Sequence, residues 1–306
     1  MKIREPVAGF WGFYPVDRDQ LIRELEWCFD NTPYGPGRRP VLGEPQSQRW
    51  VVGGIVPHAG YRYSGPCAAW FYHALAESGY RFDTVIILGT NHTGYGGALT
   101  TTSLYDEWET PLGKVPVAVD VVEELKQGGV AMDEPRALKE EHSVEVQLPF
   151  LQYISDWEWQ LVPLTAKPID VSNARHLGKR LLEIIKEKSE RPLFIVSSDF
   201  THHGYIYGYV LFDKDIVENV ASLDNMFIQR ILELDLDGFF MLMRKYMATV
   251  CGWPAIMLLI HQAELEGWEP RLLKYYNSGH ISGRDDIVVG YASIAFYSSP
   301  KLDEPQ

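Results

Sequence analysis

Three apolar runs in this chain each end abruptly in a polar turn that carries histidine. Trp50 to Val56 runs into Pro57-His58-Ala59-Gly60-Tyr61, and Thr84 to Gly89 runs into Thr90-Asn91-His92-Thr93-Gly94. Pro192 to Ser198 runs into Asp199-Phe200-Thr201-His202-His203-Gly204. Short, near-continuous apolar runs bounded by turn residues predict strands buried on both faces. Between the first two, Ala68, Trp70, Phe71, Leu75 and Ala76 have helical spacing, with Ser64 and Pro66 suited to open the helix and Gly79 to close it. Strand, helix and strand in that order predict a parallel pair. Ligands in open α/β sheets collect outside the carboxyl ends of the strands, so His58, His92 and His202 are expected to converge there.

The rest of the chain fits such a frame. Helical spacing predicts helices over Asp17 to Phe29, Asp120 to Lys126, Ser172 to Lys188 and Pro254 to Glu266. It also predicts one continuous helix over Glu140 to Tyr153, on which His142 and Glu145 share a face. Asp213 to Leu223, Asn225 to Leu234 and Asp237 to Tyr246 read as three successive helices. Leu99 to Leu104, Trp159 to Leu164, Arg271 to Asn277 and Ile287 to Phe296 read as strands. Asn31 to Gln48 reads as a loop, and Glu107 to Gly113 as irregular. The expectation is a single α/β domain over residues 1–306, built on a central mixed, largely parallel sheet flanked by helices.

Composition narrows the function. Hydrophobic residues make up 46% of the 306, enough for a sizeable core, and the formal net charge is -13. An acidic surface repels phosphate backbones and anionic bilayers, so neither nucleic acid nor membrane is an expected partner. Cys28, Cys67 and Cys251 are odd in number and far apart, which argues against a disulfide framework. The start has no apolar signal stretch, and no run approaches the roughly 18 apolar residues of a membrane span, so a cytoplasmic location is expected. Gly94-Tyr95-Gly96-Gly97 lacks the lysine of a phosphate loop, and Ser197-Ser198-Asp199 is no nucleophile elbow. A single histidine or cysteine is more often a packed or solvated residue than a ligand. That is the expectation for His73, His176, His261 and Cys28, and His203 is expected to be a solvated neighbour of His202.

Several of these segments together resemble a known family. They are Pro57-His58-Ala59-Gly60-Tyr61, Asn91-His92-Thr93, Glu141-His142-Ser143-Val144-Glu145-Val146-Gln147-Leu148-Pro149, Ser197-Ser198-Asp199-Phe200-Thr201-His202 and Cys251-Gly252. With Arg4-Glu5-Pro6-Val7-Ala8-Gly9 and Phe13-Tyr14-Pro15 near the start, they are similar to the Memo family, called AmmeMemoRadiSam system protein B in microbes. The resemblance covers nearly the whole chain and implies the fold of the class III extradiol dioxygenases. It implies His58, His92 and Cys251 as ligands of one metal ion, a cysteine standing where those dioxygenases use a carboxylate. A thiolate is softer than a carboxylate and can itself be oxidised, so ring-cleaving dioxygenase activity is not expected to carry over; the expected ion is iron or copper, with zinc as a third candidate. Asp199 and His202 correspond to the family's other site residues, His202 suited to acid–base work and Asp199 to orienting a ligand ring. His142 is expected on the opposite wall as a further catalytic group, with Tyr61 and Glu145 lining a substrate cleft. Two functions compete: a metal-dependent redox enzyme, and a non-enzymatic module that binds a small molecule or peptide in the same cleft. The microbial family name also implies partners of radical-SAM and AMMECR type, although this chain has no cysteine cluster for an iron–sulfur group.

Overall fold

A computed structural model describes residues 2–42 and 49–298. Four strands run parallel at its centre, in the spatial order Val51–Val56, Pro192–Ser197, Thr84–Thr90 and Gln160–Ala166. Val288–Tyr297 pairs antiparallel with Val51–Val56 and carries Glu269–Asn277 and the short His202–His203 strand. Leu99–Thr101 and Met132–Asp133 extend the other flank. Among the described residues this makes a nine-stranded mixed sheet, parallel in its centre and antiparallel at both flanks. Ile3–Arg4, Glu107–Thr110 and Gly113–Pro116 form a separate three-stranded sheet. The α/β architecture with flanking helices is therefore the one expected from the three apolar runs. No helix among the described residues is long and apolar enough to cross a membrane.

The central strands are apolar throughout because both faces are covered. Val51–Val56 and Thr84–Thr90 are buried at every position. A side chain at Gly54 would lie 2.1 Å from a ring carbon of Phe71, so glycine lets the helix Tyr61–Glu77 rest directly on the strand. The adjacent Gly53 points instead toward Leu259 of the helix Trp253–Glu266. Successive residues of a strand face opposite sides, so these two helices cover opposite faces of the sheet.

Strand order positions the site. Pro192–Ser197, last of the four in sequence, inserts between Val51–Val56 and Thr84–Thr90. The segments leaving these three neighbouring strands carry His58, Asp199 and His92 at the same sheet edge, where the chain's path across the sheet reverses.

Local structure departs from expectation in four places. The first site helix begins at Tyr61 with Gly60 as its cap, and Pro66 lies inside it rather than in its opening turn. The start is set by Tyr61 N–H donating to Phe13 O and Ser64 Oγ donating to Ala59 O. The expected helix over 140–153 is split into His142–Glu145 and Leu148–Ile154, because Pro149 has no N–H to continue the ladder and instead sits in the first turn of the second helix. Glu107–Thr110 and Gly113–Pro116 form a hairpin whose buried Trp108 lies under the Arg4 guanidinium, 4.3 Å from ring centre to Cζ. Ile216–Leu232 is one helix where two were expected. Asp224, which looked like a break, is buried and accepts hydrogen bonds from Thr201 N–H and the Tyr275 hydroxyl. The Pro- and Gly-rich stretch after Asp30 is irregular through Leu42, and its residues 43–48 lie outside the described residues.

Candidate metal centre

At the carboxyl edge of the sheet, His58, His92 and His142 each offer a ring nitrogen, and the three lie within 4.8 Å of one another. His58 meets both other rings edge-on at 5.4 Å between centres, while His92 and His142 stack at 4.6 Å. Such a group can hold a metal ion. Cys251 is outside that trio, but its Sγ lies 3.3 Å from His58 Nε2. The sulfur also accepts from Asp199 N–H at 3.2 Å. It sits just before Gly252, the cap of the helix Trp253–Glu266, where the helix dipole favours a negative charge. A side chain at Gly252 would come within 2.5 Å of Ser198 Cβ, so only glycine lets the Cys251 turn close on the strand tip.

Carboxylates orient the rings. Glu141 is fully buried, caps the turn His142–Glu145, and holds His92 twice: Oε2 accepts from its backbone N–H and Oε1 lies 2.9 Å from Nδ1. Asp199 Oδ1 accepts from the backbone N–H of His58 at 2.8 Å and of Ala59 at 3.3 Å. Its Oδ2 lies 3.9 Å from His202 Nε2. His202 Nδ1 lies 3.0 Å from Phe200 O and 3.2 Å from Thr249 O. Both are pure acceptors, so Nδ1 carries the hydrogen and Nε2 of a neutral ring presents its lone pair to the cleft.

The charges are strongly coupled. Burial works against a charged His58, yet the Cys251 thiolate and Asp199 outweigh it and raise the ring to about 9. Burial likewise opposes a charge on His92, but its hydrogen bonds to Cys251 and Glu141 bring it to about 10. Burial would raise the Cys251 thiol, and the His58 charge and hydrogen bond instead hold it well below the ordinary range. Burial would also raise Glu141, and the bond to His92 holds it at about 2. Burial, and then the neighbouring His58 charge, push His142 down to about 3. Burial raises Asp199. The coupling thus favours negative charge on Cys251 and Glu141 and positive charge on His58 and His92, and disfavours it on His142.

A cavity of about 420 Å³ opens beside these rings. His58, His92, His142, Asp199 and His202 all line it, as does Tyr63. Two expected wall residues do not. Tyr61 is buried, its ring against Tyr14 and Phe150 and its hydroxyl donating to Val146 O. Glu145 is fully buried on the other side of its short helix, where it pairs with Arg4 and accepts from Val7 N–H, Ala8 N–H and the Tyr14 hydroxyl. Helical spacing put Glu145 beside His142, but the N-terminal segment covers that face. His203 is buried rather than solvated, its Nε2 accepting from Leu211 N–H and Phe212 N–H. Sequence reasoning missed Phe13, whose ring lies 4.3 Å from that of His142, and Tyr207, Arg284 and Tyr291, which also line the cavity. It also missed Glu141, although an acid two residues before Ser143 and ahead of an apolar run is a legible helix-start signal.

Comparison with known proteins finds relatives along nearly the whole chain. A family profile described as Memo-like protein matches residues 4–295. A MEMO1 family protein of Methanopyrus kandleri is 37% identical over 292 residues, covering 95% of this chain and 97% of its own. Those of Pyrobaculum arsenaticum and Methanosarcina mazei are 38% and 36% identical, covering 97% and 96% of this chain and 100% and 99% of their own lengths. With a profile spanning almost every described residue and relatives this similar from end to end, the chain belongs to the Memo family.

Proposed function

We propose that this protein is a metal-dependent redox protein whose ion is held by His58, His92 and Cys251, with His142 beside them. The observation that carries the reading is the 3.3 Å separation of Cys251 Sγ and His58 Nε2 next to two further imidazoles. A tetrahedral ion about 2.3 Å from a thiolate and about 2.0–2.1 Å from an imidazole sets those donors about 3.5 Å apart. The pair therefore needs little movement to share one. Mixed imidazole and thiolate donors suit iron, copper or zinc. Iron or copper, when bound, would supply one-electron and oxygen-related chemistry.

The chain's own residues supply the surroundings. Glu141 and Asp199 hold the His92 and His58 segments, Asp199 N–H directs a dipole at the sulfur, and His202 Nε2 is placed to take or return a proton at the cleft. The cavity has room for a small molecule or a single peptide side chain. Anaerobic purification with metal analysis tests this. The expected result is close to one iron or copper per chain, lost in Cys251→Ala together with oxygen consumption. Unchanged metal content in that variant excludes the cysteine as a ligand. Zinc alone, with no oxygen consumption, excludes the redox reading.

A second reading is favoured by the rim. Trp11, Tyr63 and Tyr207 stay half-exposed around the cavity, a surface suited to a non-enzymatic peptide- or ligand-binding module. Ligand-induced thermal stabilisation that survives chelator, without turnover, distinguishes it from the first.

A further inference from the structure

Behind His58 the structure holds a chain of buried polar groups that the metal reading does not use. The Tyr72 hydroxyl lies 2.6 Å from Gln147 Oε1. Gln147 Nε2 lies 3.0 Å from Pro57 O and 2.8 Å from Ser197 Oγ. Ser197 Oγ lies 2.6 Å from Ser143 O and 3.1 Å from His58 Nδ1. Tyr72, Gln147, Ser197 and His58 are all buried. None of them can exchange a lost partner for water without cost.

Every hydrogen in this chain is assigned by elimination. Pro57 O and Ser143 O are carbonyl oxygens and can only accept. The Gln147 amide must therefore turn its NH2 to Pro57 O, since the opposite flip would face two acceptors at 3.0 Å. Its second hydrogen then goes to Ser197 Oγ, and its oxygen takes the Tyr72 hydroxyl. The single hydroxyl hydrogen of Ser197 goes to Ser143 O. What Ser197 has left for His58 is a lone pair.

We infer that Tyr72, Gln147 and Ser197 act as positioning residues that fix His58 with hydrogen on Nδ1, leaving Nε2 to the ion. The geometry of the chain stands by itself; its purpose rests on the metal site proposed above. Glu141 does the same for His92 by accepting from Nδ1. The two rings thus present the same nitrogen by different means, one through a carboxylate and one through a neutral relay. The neutral relay adds no negative charge behind His58, where Asp199 and the Cys251 thiolate already stand close. A ligand imidazole is commonly oriented through its second nitrogen, and disturbing that partner lowers metal affinity by roughly 10–100-fold.

The test uses the full chain, zinc as a redox-silent probe and nitrogen-15 NMR of the histidine rings. The expected result is a slowly exchanging His58 Nδ1–H in both ion-free and zinc-loaded protein, with Nε2 bound to zinc. Ser197→Ala should lose that protected hydrogen and bind zinc roughly 10–100-fold more weakly. Ser197→Thr, which keeps the oxygen, should restore most of the affinity. Gln147→Met should lose less than Ser197→Ala, because Ser197 can still accept from His58. Coordination of zinc through His58 Nδ1, or unchanged affinity in Ser197→Ala, overturns the inference. A wild-type protein that binds no zinc, copper or iron defeats the metal reading instead, while a protected Nδ1–H in its ion-free spectrum still supports the hydrogen-bond chain.

Discussion

Glu145→Ala should be severely destabilising, although helical spacing alone would make Glu145 a cleft residue. In the structure it is fully buried and pairs with Arg4, which is 1% exposed. It also accepts from Val7 N–H and Ala8 N–H, each at 2.9 Å, and from the Tyr14 hydroxyl. Removing the carboxylate strands a buried guanidinium, which costs about 3–5 kcal/mol. The freed Val7 and Ala8 N–H groups add about 1–3 kcal/mol where water cannot replace the lost oxygens. Guanidinium unfolding should therefore show a loss of about 4 kcal/mol or more, and the melting temperature should fall by roughly 10 °C. Arg4→Met combined with Glu145→Gln should be more stable than Glu145→Gln alone, because no unpaired cation is then left inside. A loss below about 1 kcal/mol in Glu145→Ala, or a double variant no better than the single one, would refute the reasoning. The same segment carries Phe13 onto His142, so the variant should also loosen that side of the cavity.

Three further outcomes follow from the site. Glu141→Gln keeps the cap on Ser143 N–H but removes the charge that holds His92, and zinc affinity in a competition titration should drop by roughly 10–100-fold with the fold retained. His58 at about 9 and His92 at about 10 each hold a proton that an incoming dication must displace, whereas the Cys251 thiol is held well below its ordinary range and gives up its proton more readily. The ion-free state binds more protons than the loaded state, so apparent zinc affinity should rise from pH 6 to pH 8 by up to about two decades per unit and level off above the His92 value; a flat profile would contradict it. Gly252→Ala pushes a methyl into Ser198, so both melting temperature and metal content should fall together, whereas Gly97→Ala, which meets only ordinary contacts at 3.5 Å or more, should leave metal content unchanged.

How much of this was legible depends on whether a signal is local. His58 and His92 were readable because each stands just past an apolar run, and strand ends are where α/β sheets gather their ligands. Cys251 was not readable that way. A single cysteine ahead of a helix carries no spacing, and only the resemblance pointed to it. Glu145 was misassigned because helical periodicity tells which residues share a face but not which segment covers it, and Arg4, Val7 and Tyr14 come from more than 130 residues away. Tyr61 was misassigned because an aromatic beside a site histidine does not show that Tyr14, Val146 and Phe150 enclose it. The relay through Gln147 and Ser197 was hidden for the same reason, since its members meet only when helix and strand pack. Asp224 shows the converse: a charge inside a helical pattern read as a boundary, and its partners are a strand tyrosine and a loop amide.

The insertion of Pro192–Ser197 between the two histidine-bearing strands governs when the pocket can exist at all. A chain emerging from the ribosome exposes His58 and His92 early, but with an empty lane between their strands. Only after the lane is filled do Asp199 and Ser197 reach His58, and Cys251 follows 193 residues behind it. The metal site proposed above would therefore form only when the scaffold is nearly complete, since its donors come from both ends of the chain.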